Sequence, residues 1–132
     1  MGVPLYDYRR WPNFSRKELV CRHTNLENPN VEDFSYLMNW VQHWRTLLDV
    51  PFTVTSAYRH PSHPDEKNKL QLGQHTIAAI DIQVAPEHVH RLVTMAFEAG
   101  CKGMGWKLHG AYNKRFIHID FRKGPSVIWS YK

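Results

Sequence analysis

Two short segments alternate apolar and polar residues with a period of two, and they restrict how this chain can fold more than any other feature. In Ile80-Asp81-Ile82-Gln83-Val84, an extended backbone points Ile80, Ile82 and Val84 to one face and Asp81 and Gln83 to the other. In Phe116-Ile117-His118-Ile119-Asp120-Phe121, the face with Ile117, Ile119 and Phe121 is likewise apolar, while His118 and Asp120 share the opposite side. Each strand therefore needs an apolar layer against one face only. Laid side by side, the two strands bring Asp81 next to His118.

The rest of the chain supplies that layer. Phe34, Leu37, Trp40, Val41, Trp44, Leu47 and Leu48 fall at three- and four-residue spacing and predict a helix, with Asn30 as its cap and Glu32 and Asp33 at the positive end of its dipole. A shorter helix is expected around Asn13 to Val20, with Ser15 capping and Glu18 at its third position. Pro86 opens a third helix, whose apolar face is Val89, Leu92, Val93, Ala96 and Phe97 and whose end is Gly100. Phe52 to Tyr58, Met104 to Trp106 and Val127 to Tyr131 read as further strands. Helices first, then strands with one inserted helix, indicate an α+β fold in which helices cover a small, mainly antiparallel sheet.

At 132 residues, 42% hydrophobic and 13% aromatic, the chain can bury a core without staples, and one domain spanning 1–132 is expected. Cys21 and Cys101 can pair or stay reduced, and free thiols are the expectation. The N-terminal residues lack an apolar core of signal-peptide length, and no stretch is long enough to span a bilayer. The chain is accordingly expected to be made and kept in a cytoplasm until something releases it. Its formal charge of +5, with nine further histidines, draws it towards polyanions. The basic residues are dispersed, so a nucleic-acid-binding role rests on charge and aromatics alone and is not the expectation.

His75, Asp81 and His118 form a donor set of the kind found in catalytic zinc sites, two imidazoles and a carboxylate with one position left for water. Full extension would part His75 from Asp81 by roughly 20 Å, so the segment between them must turn back sharply. Asp120 shares the strand face of His118. It is placed either to accept a proton during catalysis or to orient His118 through the second ring nitrogen.

Taken in order, Ser56-Ala57-Tyr58-Arg59, Gln74-His75 with Asp81-Ile82, and Phe116-Ile117-His118-Ile119-Asp120 resemble the successive motifs of the zinc D-alanyl-D-alanine carboxypeptidase family, the LAS-type metallopeptidases, and especially its small phage endolysin branch. Phe14-Ser15 with Glu18-Leu19 and Cys21, Met104-Gly105, and Trp129-Ser130-Tyr131 are similar to further pieces of that pattern, so the resemblance covers nearly the whole chain. It implies the hedgehog-like metallopeptidase fold and zinc held by His75, Asp81 and His118. It also implies cleavage of stem peptides in bacterial peptidoglycan by a monomer released to the cell wall, acting as a D-Ala-D-Ala carboxypeptidase or L,D-endopeptidase. Arg59 would bind substrate or steady the oxyanion, its rival reading being a structural ion pair.

Two departures from that pattern stand out. The spacing from His75 to Asp81 is one position shorter than is usual in the family, and Thr76 to Ile80 lacks the customary Gly. Either the loop closes differently and the metal site persists, or the chain is a degenerate relative that binds cell wall or serves as a virion structural protein. Just before His118, Lys114, Arg115 and Phe116 stand where many relatives carry a carboxylate or histidine, which makes Asp120 the expected general base. Of the other histidines, His88 and His90 face different ways on a helix. His60 and His63 either line the cleft or lie exposed, His109 is placed in a loop, and His23 and His43 read as surface or boundary residues.

Overall fold

The computed structural model describes residues 3–132. Five strands, β1 (Thr53–Ser56), β2 (Ala79–Gln83), β3 (Gly103–Lys107), β4 (Phe116–Asp120) and β5 (Val127–Ser130), form one sheet in the order β1-β2-β4-β3-β5. All neighbours are antiparallel except β3 and β5, which run parallel. Helices α1 (Arg16–Leu19), α2 (Val31–Leu48) and α3 (Pro86–Glu98) complete the α+β architecture. Cys21 and Cys101 are both buried free thiols. No helix among the described residues is long and apolar enough to cross a membrane.

The alternation of β2 and β4 decides which face meets the helices. Ile80, Ile82, Ile117 and Ile119 join Met104 in one cluster with Phe34, Leu37, Met38, Val41, Trp44 and Leu48 of α2 and Leu92 and Ala96 of α3. Full burial of each such side chain stabilises the fold by about 1.5–3 kcal/mol. The stripe on α2 is narrower than its sequence spacing suggests. Leu47 is 54% exposed, because at 3.6 residues per turn it lies about 120° from the stripe's centre. Phe97, at the margin of the α3 face, is 40% exposed.

Both predicted residues occupy their N-cap positions, but only the cap of α1 closes through its side chains. At α1 the Glu18 carboxylate accepts from the Ser15 backbone N–H at 3.0 Å and from its hydroxyl at 3.1 Å. Asn30 does occupy the N-cap of α2, but its side chain makes no capping bond. Its amide turns outward and donates to Thr76 O at 3.2 Å. A tertiary partner outcompetes the local one there.

The polar face of the sheet is organised by register. Asp81 pairs with His118 across β2 and β4, His118 with Gly105 across β4 and β3, and Gly105 with Trp129 across β3 and β5, so four strands contribute to one transverse row. Glycine is required in β3 because a Cβ at Gly105 would collide with the Trp129 indole, and one at Gly103 with the Asp120 carboxylate. The expected result for Gly105→Ala is displacement of Trp129 and a loss of about 1–3 kcal/mol of stability, read by urea unfolding and tryptophan fluorescence. An unchanged midpoint and emission spectrum would contradict it.

Candidate metal centre

His75 reaches the sheet through a turn that needs no glycine. A 3₁₀ segment, Gln74–Thr76, is followed by Ile77 at φ −107° and ψ −75°, so the chain turns back through right-handed conformations. Gln74 O accepts from both Ile77 N and Ala78 N at 2.9 Å, and Thr76 Oγ1 donates to Gly73 O at 2.7 Å. Among the described residues, only Asn25 and Asp49 are non-glycine positions with positive φ. The shortened segment therefore closes without strain, and Arg59 N, three residues beyond β1, tethers it by donating to His75 O at 2.9 Å.

The three predicted donors converge. His75 Nε2 lies 3.1 Å and His118 Nδ1 3.0 Å from the same oxygen, Asp81 Oδ1. One donor atom from each residue lies within 4.8 Å of the other two, and all three side chains are buried. The remaining ring nitrogens set the tautomers. His75 Nδ1 donates to Ala57 O at 2.6 Å and His118 Nε2 donates to Asp120 Oδ2 at 2.6 Å, since neither oxygen can donate in return. Neutral rings in these tautomers would aim their lone pairs at an anionic oxygen, an arrangement that a divalent cation at the focus satisfies. The donors suit zinc: two imidazole nitrogens and a carboxylate, each ring oriented by an acceptor behind it.

Electrostatics around the centre follow from that geometry. Burial pushes the Asp81 carboxyl up, yet His75 and His118 together hold it well below the usual carboxylate range. Burial likewise opposes the charged form of His118, but Asp120 and Asp81 on either side raise its pKa.

Asp120 is 0% exposed, and its oxygens are fully engaged. Besides His118 Nε2, it accepts from Arg122 N at 3.0 Å, Arg122 Nε at 2.9 Å and an Arg122 terminal nitrogen at 2.8 Å. It lies behind the His118 ring, on the side away from Asp81. The carboxylate is closed off from solvent, and its hydrogen bonds to His118 and Arg122 engage both oxygens. These contacts suit the orienting of His118, one of its two predicted roles.

Arg59 borders the centre, 3.8 Å from Asp81 Oδ2 and 3.6 Å from Glu66 Oε2, with its side chain 21% exposed. Both contacts are long for ion pairs, so the guanidinium keeps donor capacity. Glu66 went unnoticed in the sequence because it lies within a charged loop that reads as solvated. It is 0% exposed, and besides the Arg59 contact it accepts from Gly73 N at 2.7 Å and Lys69 Nζ at 3.2 Å. Burial raises its pKa, while Gly73, Lys69 and Arg59 lower it to a net position below the usual range. Trp129 was also missed as part of the site. Its ring centroid lies 5.0 Å from that of His118, and the Arg122 guanidinium sits 5.2 Å above the indole.

The remaining histidines stand apart from this cluster. His23, His43, His90 and His109 are exposed, while His60, His63 and His88 are half-buried. Two cavities lie outside the donor cluster. One, of about 450 Å³, is bordered by Asp33, Tyr36, Gln74, Ala78 and Arg122. The other, of about 410 Å³ and largely apolar, lies between α3 and the strand ends at Trp106 and Phe116.

Comparison with known proteins agrees with the geometry. No curated protein and no solved structure matches the chain. The model of one family, Peptidase M15, matches residues 12–120, a span that contains Arg59, all three converging donors and Asp120. With that match over most of its length and a His-Asp-His cluster at its centre, the chain belongs to the peptidase M15 family of zinc peptidases.

Proposed function

We propose that this protein is a zinc-dependent peptidase that cleaves stem peptides of bacterial peptidoglycan, in the manner of the D-Ala-D-Ala carboxypeptidases or L,D-endopeptidases of small phage endolysins. The observation that carries the reading is the convergence of His75 Nε2 and His118 Nδ1 on Asp81 Oδ1, within a chain of the M15 family. Zinc held by these three residues would supply Lewis-acid polarisation of a carbonyl and water acidified to near neutrality.

The chain's own groups then have distinct tasks. Ala57 O and Asp120 fix the ring orientations of His75 and His118. Arg59, permanently charged and only loosely paired, is placed to bind the substrate or the oxyanion that develops at the scissile carbonyl. The buried Glu66 carboxylate holds Arg59 from behind. The net charge of +5 favours approach to anionic wall polymers. The shortened His75 to Asp81 spacing was the ground for a catalytically degenerate, wall-binding or virion role; the closed turn and the convergence of the three donors support the catalytic reading over it.

The test combines zinc analysis with digestion of purified peptidoglycan, reading the released peptides by mass spectrometry. Chelator-sensitive hydrolysis is expected, and Arg59→Lys should keep its zinc while kcat falls by roughly 10²-fold, the usual cost of losing one oxyanion donor. Zinc-loaded protein that leaves both sacculi and isolated stem peptides uncut would refute the assignment.

A further inference from the structure

The turn between His75 and Asp81 is held from outside by two asparagines that lie far away in sequence. Asn28, 1% exposed, donates through Nδ2 to Ile77 O at 2.7 Å, across 49 residues. Its Oδ1 accepts from Asn30 N at 2.8 Å and Asn30 Nδ2 at 3.0 Å. Asn30 Nδ2 also reaches Thr76 O at 3.2 Å. The Asn28 carbonyl in turn accepts from the buried Tyr6 hydroxyl. Two consecutive carbonyls of the turn are thus received by two coupled side-chain amides, themselves tied to the N-terminal segment.

We infer that Asn28, with Asn30 in support, is a positioning residue for the metal centre, setting the separation of His75 from Asp81. The bonds inside the turn run to Gly73 O and Gln74 O, so they define its start. The outer face carries the carbonyls of Thr76 and Ile77, directly after His75, and the asparagines fix that face. The turn has no proline or glycine between His75 and Asp81 to stiffen or shape it. Metal sites demand donor placement to within about 0.5 Å. Supporting hydrogen bonds to a centre typically contribute 10–100-fold in metal affinity.

This inference rests on reading His75, Asp81 and His118 as zinc ligands, and the experiment separates the two claims. Asn28→Asp retains the Oδ1 acceptor and the side-chain size but replaces the donor to Ile77 O with an oxygen. Asn28→Ala removes both functions, and the half-buried Asn30→Ala removes the side-chain contacts to Thr76 O and Asn28 Oδ1 but leaves the Asn28 donor to Ile77 O, which keeps one variant mild enough to fold. Leu48→Ala serves as the control, because Leu48 is buried in the core as the last residue of α2, a full helix length from the Asn30 N-cap.

Zinc affinity is measured by competition with a chromophoric chelator, and coordination geometry by the visible spectrum of the cobalt-substituted proteins. Both Asn28 variants should bind zinc roughly 10–100-fold more weakly and show an altered cobalt spectrum, with Asn30→Ala changed in the same direction but less. Leu48→Ala should lose thermal stability but keep wild-type affinity. Wild-type affinity and spectra in all three asparagine variants would overturn the inference alone, and an equal loss in Leu48→Ala would reduce it to general destabilisation. A wild-type protein that takes up no zinc would refute the metal assignment itself and this inference with it.

Discussion

Replacing His118 by alanine is expected to release zinc from the protein and abolish hydrolysis. His118 Nδ1 is one of three donors, and no other His, Cys, Asp or Glu among the described residues joins the group as a substitute. Structural zinc sites with four ligands bind with apparent free energies of about 10–16 kcal/mol, so one donor accounts for roughly 3–4 kcal/mol, or at least about 100-fold in affinity. His118→Gln refines the test by filling most of the space beneath Trp129, so that loss of metal is not confused with collapse of the indole. Metal content after dialysis against a weak chelator reads the effect. Stoichiometric zinc in both variants would remove His118 from the ligand set and leave the proposed chemistry without its centre.

The second large effect belongs to Asp120, and it falls on stability. Its carboxylate accepts four hydrogen bonds, three from Arg122 and one from His118, with no exposure to water. Burial alone would push this carboxyl up, but His118 and Arg122 prevail and hold it well below the usual range. Asp120→Ala leaves a half-buried guanidinium and a buried imidazole without their acceptor, and breaking a buried pair in this way costs about 3–5 kcal/mol. Urea unfolding of the metal-free proteins should show that loss at neutral pH. Because the folded-state pKa is depressed, the stabilisation is present above the unfolded value of about 3.9 and is lost as pH falls through the folded value, so the gap between wild type and variant should narrow in acid. A difference below about 1 kcal/mol at neutral pH would show that Arg122 and His118 find other partners.

Some of the site was readable in advance because it depends on side-chain direction within a few residues. The alternation of Ile80 to Val84 and of Phe116 to Phe121 specified which face of each strand is apolar, and pairing of the two followed from burying those faces together. The α2 stripe was readable for the same reason, though Leu47, turned about 120° from the stripe's centre, shows that a three-residue step alone does not place a side chain on the buried face. Asn30 misled because a capping signal describes only the local competition, and its side chain went to Thr76 instead. Glu66 gave no signal at all. A carboxylate in a run of Asp, Glu, Lys and Asn looks solvated until a loop folds over it and Gly73, Lys69 and Arg59 close around it. The role of Asp120 was readable only as a pair of alternatives, and the Arg122 contacts that engage both of its oxygens could not be read from local spacing.

From its amino acids alone, this protein specifies two one-sided strands, the helices that cover them and the donors a zinc ion would need, because backbone periodicity ties each side chain's direction to its neighbours a few positions away. The folded chain decided whether the donors meet. His75 arrives beside Asp81 and His118 through a turn closed by bonds to Gly73 and Gln74 inside, Asn28 and Asn30 outside, and Ala57 behind the ring. Those partners are scattered along the sequence, and no local pattern records contacts that exist only after the sheet and the loop have come together.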